Sequence, residues 1–321
     1  MMRSALLALG LALAVQAAAV GQAVEVTPVP LNPDASEDTR TGRLDYRGGI
    51  AIASDDERFG GLSALELSSD GTRLLALSDS AWWITGSLDW SDEGNRLTGF
   101  SGLQIAPVRD AGGAHFEGRS GDSEGLAPLG NGRYAISFER EHRMLAYDLG
   151  TDWSRVGEAR PEPLHGPEEL AGLPDNRGAE SLARTATGTL LMGIEYPTDI
   201  TLAHHLWVGD GTGWRRLALN ARPSFGLTGM AAHDGTIYAL ERFYSRAVGN
   251  RAGIIAFPVP GPDDTAIAPV TIGRIDPPMT VDNFEGIAVI ERGGETLILI
   301  LSDDNFSRRQ RTLLMAFAVV E

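Results

Sequence analysis

From about residue 60 onward, apolar and polar positions recur in one pattern: a short apolar strand, a glycine-bearing turn, then a strongly apolar strand that ends on an acid. Five segments share it: SALELSSDGTRLLALSD (63–79), EGLAPLGNGRYAISFE (124–139), ESLARTATGTLLMGIE (180–195), TGMAAHDGTIYALE (228–241) and EGIAVIERGGETLILILSD (285–303). Their starts lie 61, 56, 48 and 57 residues apart. That spacing suits a four-stranded sheet per repeat and not a helical repeat. Each second strand is a near-continuous apolar run, so burial on both faces is expected.

The stretches between the hairpins supply further strands. They include 81–90 and 96–108, 143–149 with a weaker strand at 161–164, 204–210 with 214–220, and 252–259 with 268–275. The last repeat offers only 312–320 before the chain ends, and GRLDYRGGIAIAS (42–54) can supply its missing strand. A ring closed by strands from both termini leaves no unpaired edge. The expected fold is therefore all-β, a single β-propeller of five four-stranded blades; six blades would require a divergent blade within 80–120 or 140–175. In each blade the first strand is innermost and the second is its antiparallel partner.

Upstream, a lone Arg3 precedes an apolar run from Ala5 to Val15 and small residues around Ala17, Ala19 and Ala23. This pattern predicts a secretory signal peptide over 1–23, and hence a periplasmic or secreted product without membrane insertion after cleavage. Residues 24–40, rich in proline and acid, read as a linker, which leaves 41–321 for the propeller. Cysteine is absent, which excludes disulfides, thiolate metal sites and a cysteine nucleophile. Lysine is absent too, so all 27 basic side chains are arginine, and Schiff-base chemistry is excluded. A formal charge of −16 argues against a nucleic-acid partner.

The repeat places acids at both strand positions that open on one mouth. Strand starts carry Glu124, Glu180 and Glu285, with Ser63 and Thr228 in the other two blades; strand ends carry Asp79, Glu139, Glu195, Glu241 and Asp303. Counting back from the turns sets Glu124 opposite Glu139, Glu180 opposite Glu195 and Glu285 opposite Asp303. Carboxylates so placed repel. A bound cation, arginines or shared protons must offset the repulsion. Donors that are all oxygen suit calcium, with magnesium second. Nearby arginines include Arg140, Arg143, Arg242, Arg246 and Arg177.

The segments 122–140, 177–195 and 282–305 resemble the bacterial phytase-like family, which is labelled for an esterase-like activity of phytase and grouped with β-propellers. The resemblance runs from about residue 44 to the C-terminus. It implies phosphoesterase-type activity resting on Glu124, Glu139, Glu180, Glu195, Glu285 and Asp303. The chain lacks the Asp-Asp-Pro-Ala-x-Trp signature of the true β-propeller phytases, so phytate itself is not the expected substrate. The expectation is a hydrolase acting on a small anionic phosphoester. Glu124, Glu180 and Glu285 would be catalytic, with Glu139, Glu195, Asp303, Asp79 and Glu241 as metal ligands and Arg140, Arg143 and Arg242 as an anion clamp. Two alternatives use the same mouth: a non-catalytic binding propeller, and a calcium-dependent lactonase with no phosphate clamp. A serine nucleophile at Ser123 is disfavoured, because the Gly121–Gly125 elbow-like sequence opens a strand and not a helix. His142, within EREHR, reads as a loop histidine near the mouth, and adjacent His204 and His205 as strand residues.

Overall fold

Glycine turns and apolar runs build five antiparallel sheets around one axis. The computed structural model describes residues 23–197, 203–209, 213–222 and 224–320, so the predicted signal peptide lies almost wholly outside the described residues. The innermost strands are Leu62–Leu67, Ser123–Gly130, Ala179–Arg184, Gly226–His233 and Asn283–Arg292. Each pairs outward with the apolar strand of its repeat, and two more strands complete the blade. The architecture is a five-bladed β-propeller. Among the described residues only two short 3-10 turns, Gly118–Gly121 and Glu168–Gly172, interrupt the strands. No described helix is long and apolar enough to cross a membrane.

Each second strand divides its side chains between two seams, which explains its unbroken apolar run. In Arg73–Ser78, Leu74 and Ala76 enter the cluster shared with blade five, while Leu75 and Leu77 enter the one shared with blade two. Glu295–Asp303 does the same, sending Leu297, Leu299 and Leu301 to one seam and Ile298 and Ile300 to the other. The period-2 geometry of a strand makes this split automatic. Trp83 and Trp153 fill one seam and Trp207 another, as packing groups.

Blade five closes the ring. Leu44–Ala53 pairs antiparallel with Thr312–Val319, Thr312 lying opposite Ile52. Part of the segment read as a linker extends this blade, because Glu25–Pro28 pairs with Ile50–Ala53 on its outer edge. Pro28 is tolerated there, since an edge strand need not donate on its outer side.

Every innermost strand carries a register shift at the same place. The shifts fall at Ser63, at Glu124 and Gly125, and at Glu180, Thr228 and Glu285. A bulge leaves its residue without a cross-strand partner and re-aims the side chain. Face-to-face carboxylate pairs therefore do not form. Phe138 lies opposite Ser123, Ile194 opposite Ala179, and Asp303 opposite Asn283. The glycine after the bulge lets neighbouring inner strands approach. A Cβ on Gly229 would meet the Glu285 carbonyl oxygen at 2.5 Å, and one on Gly125 would meet Leu182 Cγ at 2.8 Å. The Glu-Gly pair is thus a packing device as well as a chemical one.

Candidate functional site

The five bulge residues share one level around the axis and divide into two kinds. Ser63 donates to the Ser123 carbonyl at 2.8 Å, and Thr228 donates to the Phe284 carbonyl at 3.2 Å, each tying its blade to the next inner strand. The glutamates at the other three positions join the strand-end acids at one mouth. A small cavity of about 10 Å³ among the inner strands, lined by Leu65, Leu182 and Ile287 together with Glu180 and Glu285, has room for at most one water. The acids around the mouth form a carboxylate basin.

Asp122, Glu124 and Glu139 form the tightest group, offering one carboxylate oxygen each, all within 4.8 Å of one another. Three blade elements position them. Asp122 leads into the inner strand and is paired with Arg140. Glu124 is the bulge residue. Glu139 ends the second strand and accepts the Gly178 N–H at 2.8 Å. Gly178 has no side chain to block this: a Cβ would lie 2.7 Å from Glu139 Cγ and 2.8 Å from His142 Nδ1. Among the described residues no hydrogen-bond donor reaches Glu124 or Glu180. The triad could hold a metal ion.

The remaining acids are held differently. Arg242 bridges two blades, reaching Glu195 at 2.8 Å and Glu285 at 3.3 Å. Asn283 Nδ2 donates to Glu285 at 2.8 Å and to Asp303 at 3.2 Å. Burial pushes the Glu124 and Glu180 carboxyls well above the usual range, and neighbouring carboxylates push them further. Burial raises Glu285 to about 8, against the opposing pull of Arg242. Asp303 rises to about 7 and Asp79 to about 6, again chiefly through burial. Burial also outweighs Arg242 at Glu195, whose pKa is raised. Burial lowers the Arg242 pKa, but Glu285 and Glu195 outweigh it, and the net shift is upward. The guanidinium keeps its charge, and every shifted carboxyl around it is raised, so the group favours protonated acids.

These shifts set a pH dependence. Each raised acid binds its proton more tightly folded than unfolded, so stability falls as pH rises through 6, 7 and 8. One unit of retained shift is worth about 1.4 kcal/mol, roughly 2–4 °C for a domain of this size. The cation-free protein is expected to melt at least that much lower at pH 8.5 than at pH 5.5. A flat or rising profile by calorimetry would show that the acids do not share a basin.

Several expected roles need correction. Glu241 does not stand with the ligands: its two oxygens accept the Arg222 backbone N–H at 3.1 Å and the guanidinium at 2.8 and 3.0 Å. Arg143 is no free clamp, since its guanidinium lies 4.0 Å from the Phe138 ring centre and donates to the Ser120 and Glu141 carbonyls. Arg140 and Arg242 are likewise engaged by the carboxylates named above. Ser123 is fully buried and donates to the Ser78 carbonyl at 2.6 Å, which removes it as a nucleophile. His142 Nε2 meets the Pro174 carbonyl at 3.1 Å, and His204 is buried. Asp122 was not among the residues singled out from the sequence. Its signal is positional: it stands two residues before Glu124, as Asn283 stands two before Glu285.

The family described as phytase-like, with esterase-like activity of phytase, matches residues 57–306. The chain belongs to this phytase-like family. Membership supports a hydrolase-type propeller. No curated protein matches the phytase-like chain. Among solved structures it is similar to the phage phi92 endosialidase, with 11% identity and a TM-score of 0.43. That match covers 91% of this chain but only 60% of the endosialidase. It is also similar to the catalytic domain of a Coprinopsis cinerea GH62 α-L-arabinofuranosidase (8% identity, 88% and 99% of the two chains, TM-score 0.49). A third likeness is to a luciferin-regenerating enzyme (11% identity, 81% and 93%, TM-score 0.43). At these scores the structural likenesses carry no argument about activity.

Proposed function

We propose that this phytase-like propeller is an exported phosphoester hydrolase working with a divalent cation, calcium first and magnesium second, held by Asp122, Glu124 and Glu139. The observation that carries the reading is the convergence of those three carboxylates within 4.8 Å around a Glu124 that no donor among the described residues reaches. Oxygen donors alone suit a hard ion. When bound, it would offset the charge of a substrate phosphate and polarise one of its oxygens. The chain's own residues prepare the site: Arg140 orients Asp122, and the Gly178 N–H fixes Glu139. Glu180, its carboxyl raised well above the usual range by burial and by Glu124 and Glu195, is the acid that would pass a proton to the leaving oxygen. Glu285, grouped with the catalytic acids on sequence, acts through Arg242 and Asn283 as a positioning residue. Asp79, Glu195 and Asp303 surround the triad as charge partners. Export rests on the N-terminal pattern of charge, apolar run and small residues.

The engagement of Arg140, Arg143 and Arg242 favours a second reading, a calcium-dependent lactonase, which needs no phosphate clamp. Assays of aryl phosphate monoesters and diesters beside a lactone panel separate the two, run with calcium, with magnesium and with chelator. Phosphoester turnover that calcium restores after chelation is the expected result. Absence of turnover on every ester with every cation, together with no cation-induced rise in melting temperature, would end the hydrolytic reading.

A further inference from the structure

With the three expected clamp arginines engaged elsewhere, an anionic substrate needs another cation-rich surface beside the mouth. A cavity of about 710 Å³ lies there, lined by Arg242, Tyr244, Asn250, Asp282, Arg309 and Arg311 among others, a size that suits a small organic ligand. Its charge balance is the reverse of the protein's: three arginines line it against one acid, Asp282, in a chain of formal charge −16. The neighbouring cavity of about 630 Å³ has the opposite balance, with Glu25, Asp55, Asp56, Glu57 and Asp304 against Arg308 and Arg311. Of these two cavities, the arginine-lined one is the favourable destination for an anion.

We propose that this arginine-lined cavity binds the phosphate group of a small organic phosphoester, presenting it to the adjoining carboxylate basin. The proposal rests on the phosphoesterase reading and names its anion-recognition residues as Arg309 and Arg311. Among the described residues no carboxylate lies within ion-pair distance of Arg309. The acid nearest Arg311, Asp282, is 3.8 Å from its Nε and already accepts the Asn283 and Arg311 backbone N–H groups. Both residues are exposed, and the long Arg311–Asp282 contact leaves the terminal nitrogens of Arg311 outside that pair, so both can offer the bidentate geometry that phosphate favours. Arg242 joins the cavity to the basin, because the same side chain lines the one and pairs with Glu195 and Glu285 in the other. Tyr244, 59% exposed, offers its ring to the organic part.

The turn that carries the arginines is held in a fixed shape. Asn305 and Phe306, neither of them glycine, both have positive φ, +49° and +50°, a conformation that persists only where the surroundings impose it. Asp303 accepts the Asn305 N–H at 2.6 Å. Asp304 accepts the Phe306 N–H at 3.0 Å and the Gly61 N–H at 3.1 Å. The Phe306 ring covers Gly61, where a Cβ would meet it at 2.5 Å. Two acids at the basin's rim therefore set the path of the chain that bears Arg309 and Arg311.

The test is binding of phenyl phosphate to the full chain in chelator, where the hydrolytic step is silent, measured by calorimetry at low and at high salt. Wild type is expected to bind, and to bind more weakly as salt rises. Arg309→Gln with Arg311→Gln should weaken binding at least about tenfold at an unchanged melting temperature, and Arg309→Lys should weaken it less than Arg309→Gln. Unchanged affinity in the double variant, or no binding by wild type, overturns the proposal. The hydrolytic reading is judged separately. Binding lost in the double variant beside a wild type that turns over nothing leaves the subsite standing and removes the hydrolase. Turnover whose KM the double variant leaves unchanged does the reverse.

Discussion

Replacing Glu124 by glutamine is expected to abolish cation-induced thermal stabilisation and lower turnover at least ~100-fold, while raising the melting temperature of the cation-free protein. The two halves have one cause. Glu124 sits at a bulge with no described donor, beside Asp122 and Glu139, so in the absence of a cation its charge is opposed by burial and by neighbouring carboxylates. Glutamine keeps the shape and removes the charge, relieving that repulsion. The same change deletes one of three ligand oxygens, and even outer-shell partners of a metal are worth about 10–100-fold in affinity or activity. Ser63→Ala is the control, because Ser63 occupies the equivalent bulge and its hydroxyl bonds only the Leu77 and Ser123 carbonyls among the described residues; it should lower stability without altering the response to calcium. The reading of the triad as a cation site would be sunk if Glu124→Gln kept the full calcium-dependent shift.

Much of the ring was legible because it rests on features that survive in one dimension. Period-2 burial into two seams produces unbroken apolar runs such as Leu297–Leu301, and the five runs announce five blades. The pairing of Leu44–Ala53 with Thr312–Val319 was visible as a deficit in the last repeat. What did not show was whatever depends on a one-residue change of register. The bulges at Glu124, Glu180 and Glu285 look like ordinary strand starts in the sequence. Counting back from the turns therefore set acids opposite acids, where the structure unpairs the bulge residue and aims it at the axis. Arginine roles were illegible for a similar reason. Arg143 lies three residues after Arg140, yet it packs on Phe138 while Arg140 pairs with Asp122, a difference made by strand direction and not by composition. Glu25–Pro28 was hidden because an outer edge strand needs neither apolar content nor freedom from proline.

The mixture of bulge residues also bears on function. If the position served only to tie blades together, serine or threonine would suffice at all five, as they do at Ser63 and Thr228. Three glutamates in a site that raises their proton affinity work against stability. Natural sites that break a local rule in this way concentrate where chemistry or binding requires it.

Arg242→Met is expected to cost about 3–5 kcal/mol of stability at pH 8, the usual penalty for removing one partner of a buried ion pair, and much less at pH 5. The guanidinium is the shared counter-charge of Glu195 and Glu285, at 2.8 and 3.3 Å, and its side chain is only 23% exposed. Methionine fills similar volume without charge, so both carboxyls must then hold protons or remain buried and unpaired. Burial already raises Glu285 to about 8 with the arginine present, and without it both acids rise further. At pH 5 Glu285 is protonated and its burial imposes little cost in the variant, whereas wild type then keeps a buried cation facing a neutral Glu285 carboxyl, which narrows the gap from the other side. Denaturant titrations of both proteins at pH 5 and pH 8 measure the difference. A penalty that is the same at both pH values would mean that Arg242 contributes packing alone, and that the acids around it do not exchange protons as one group.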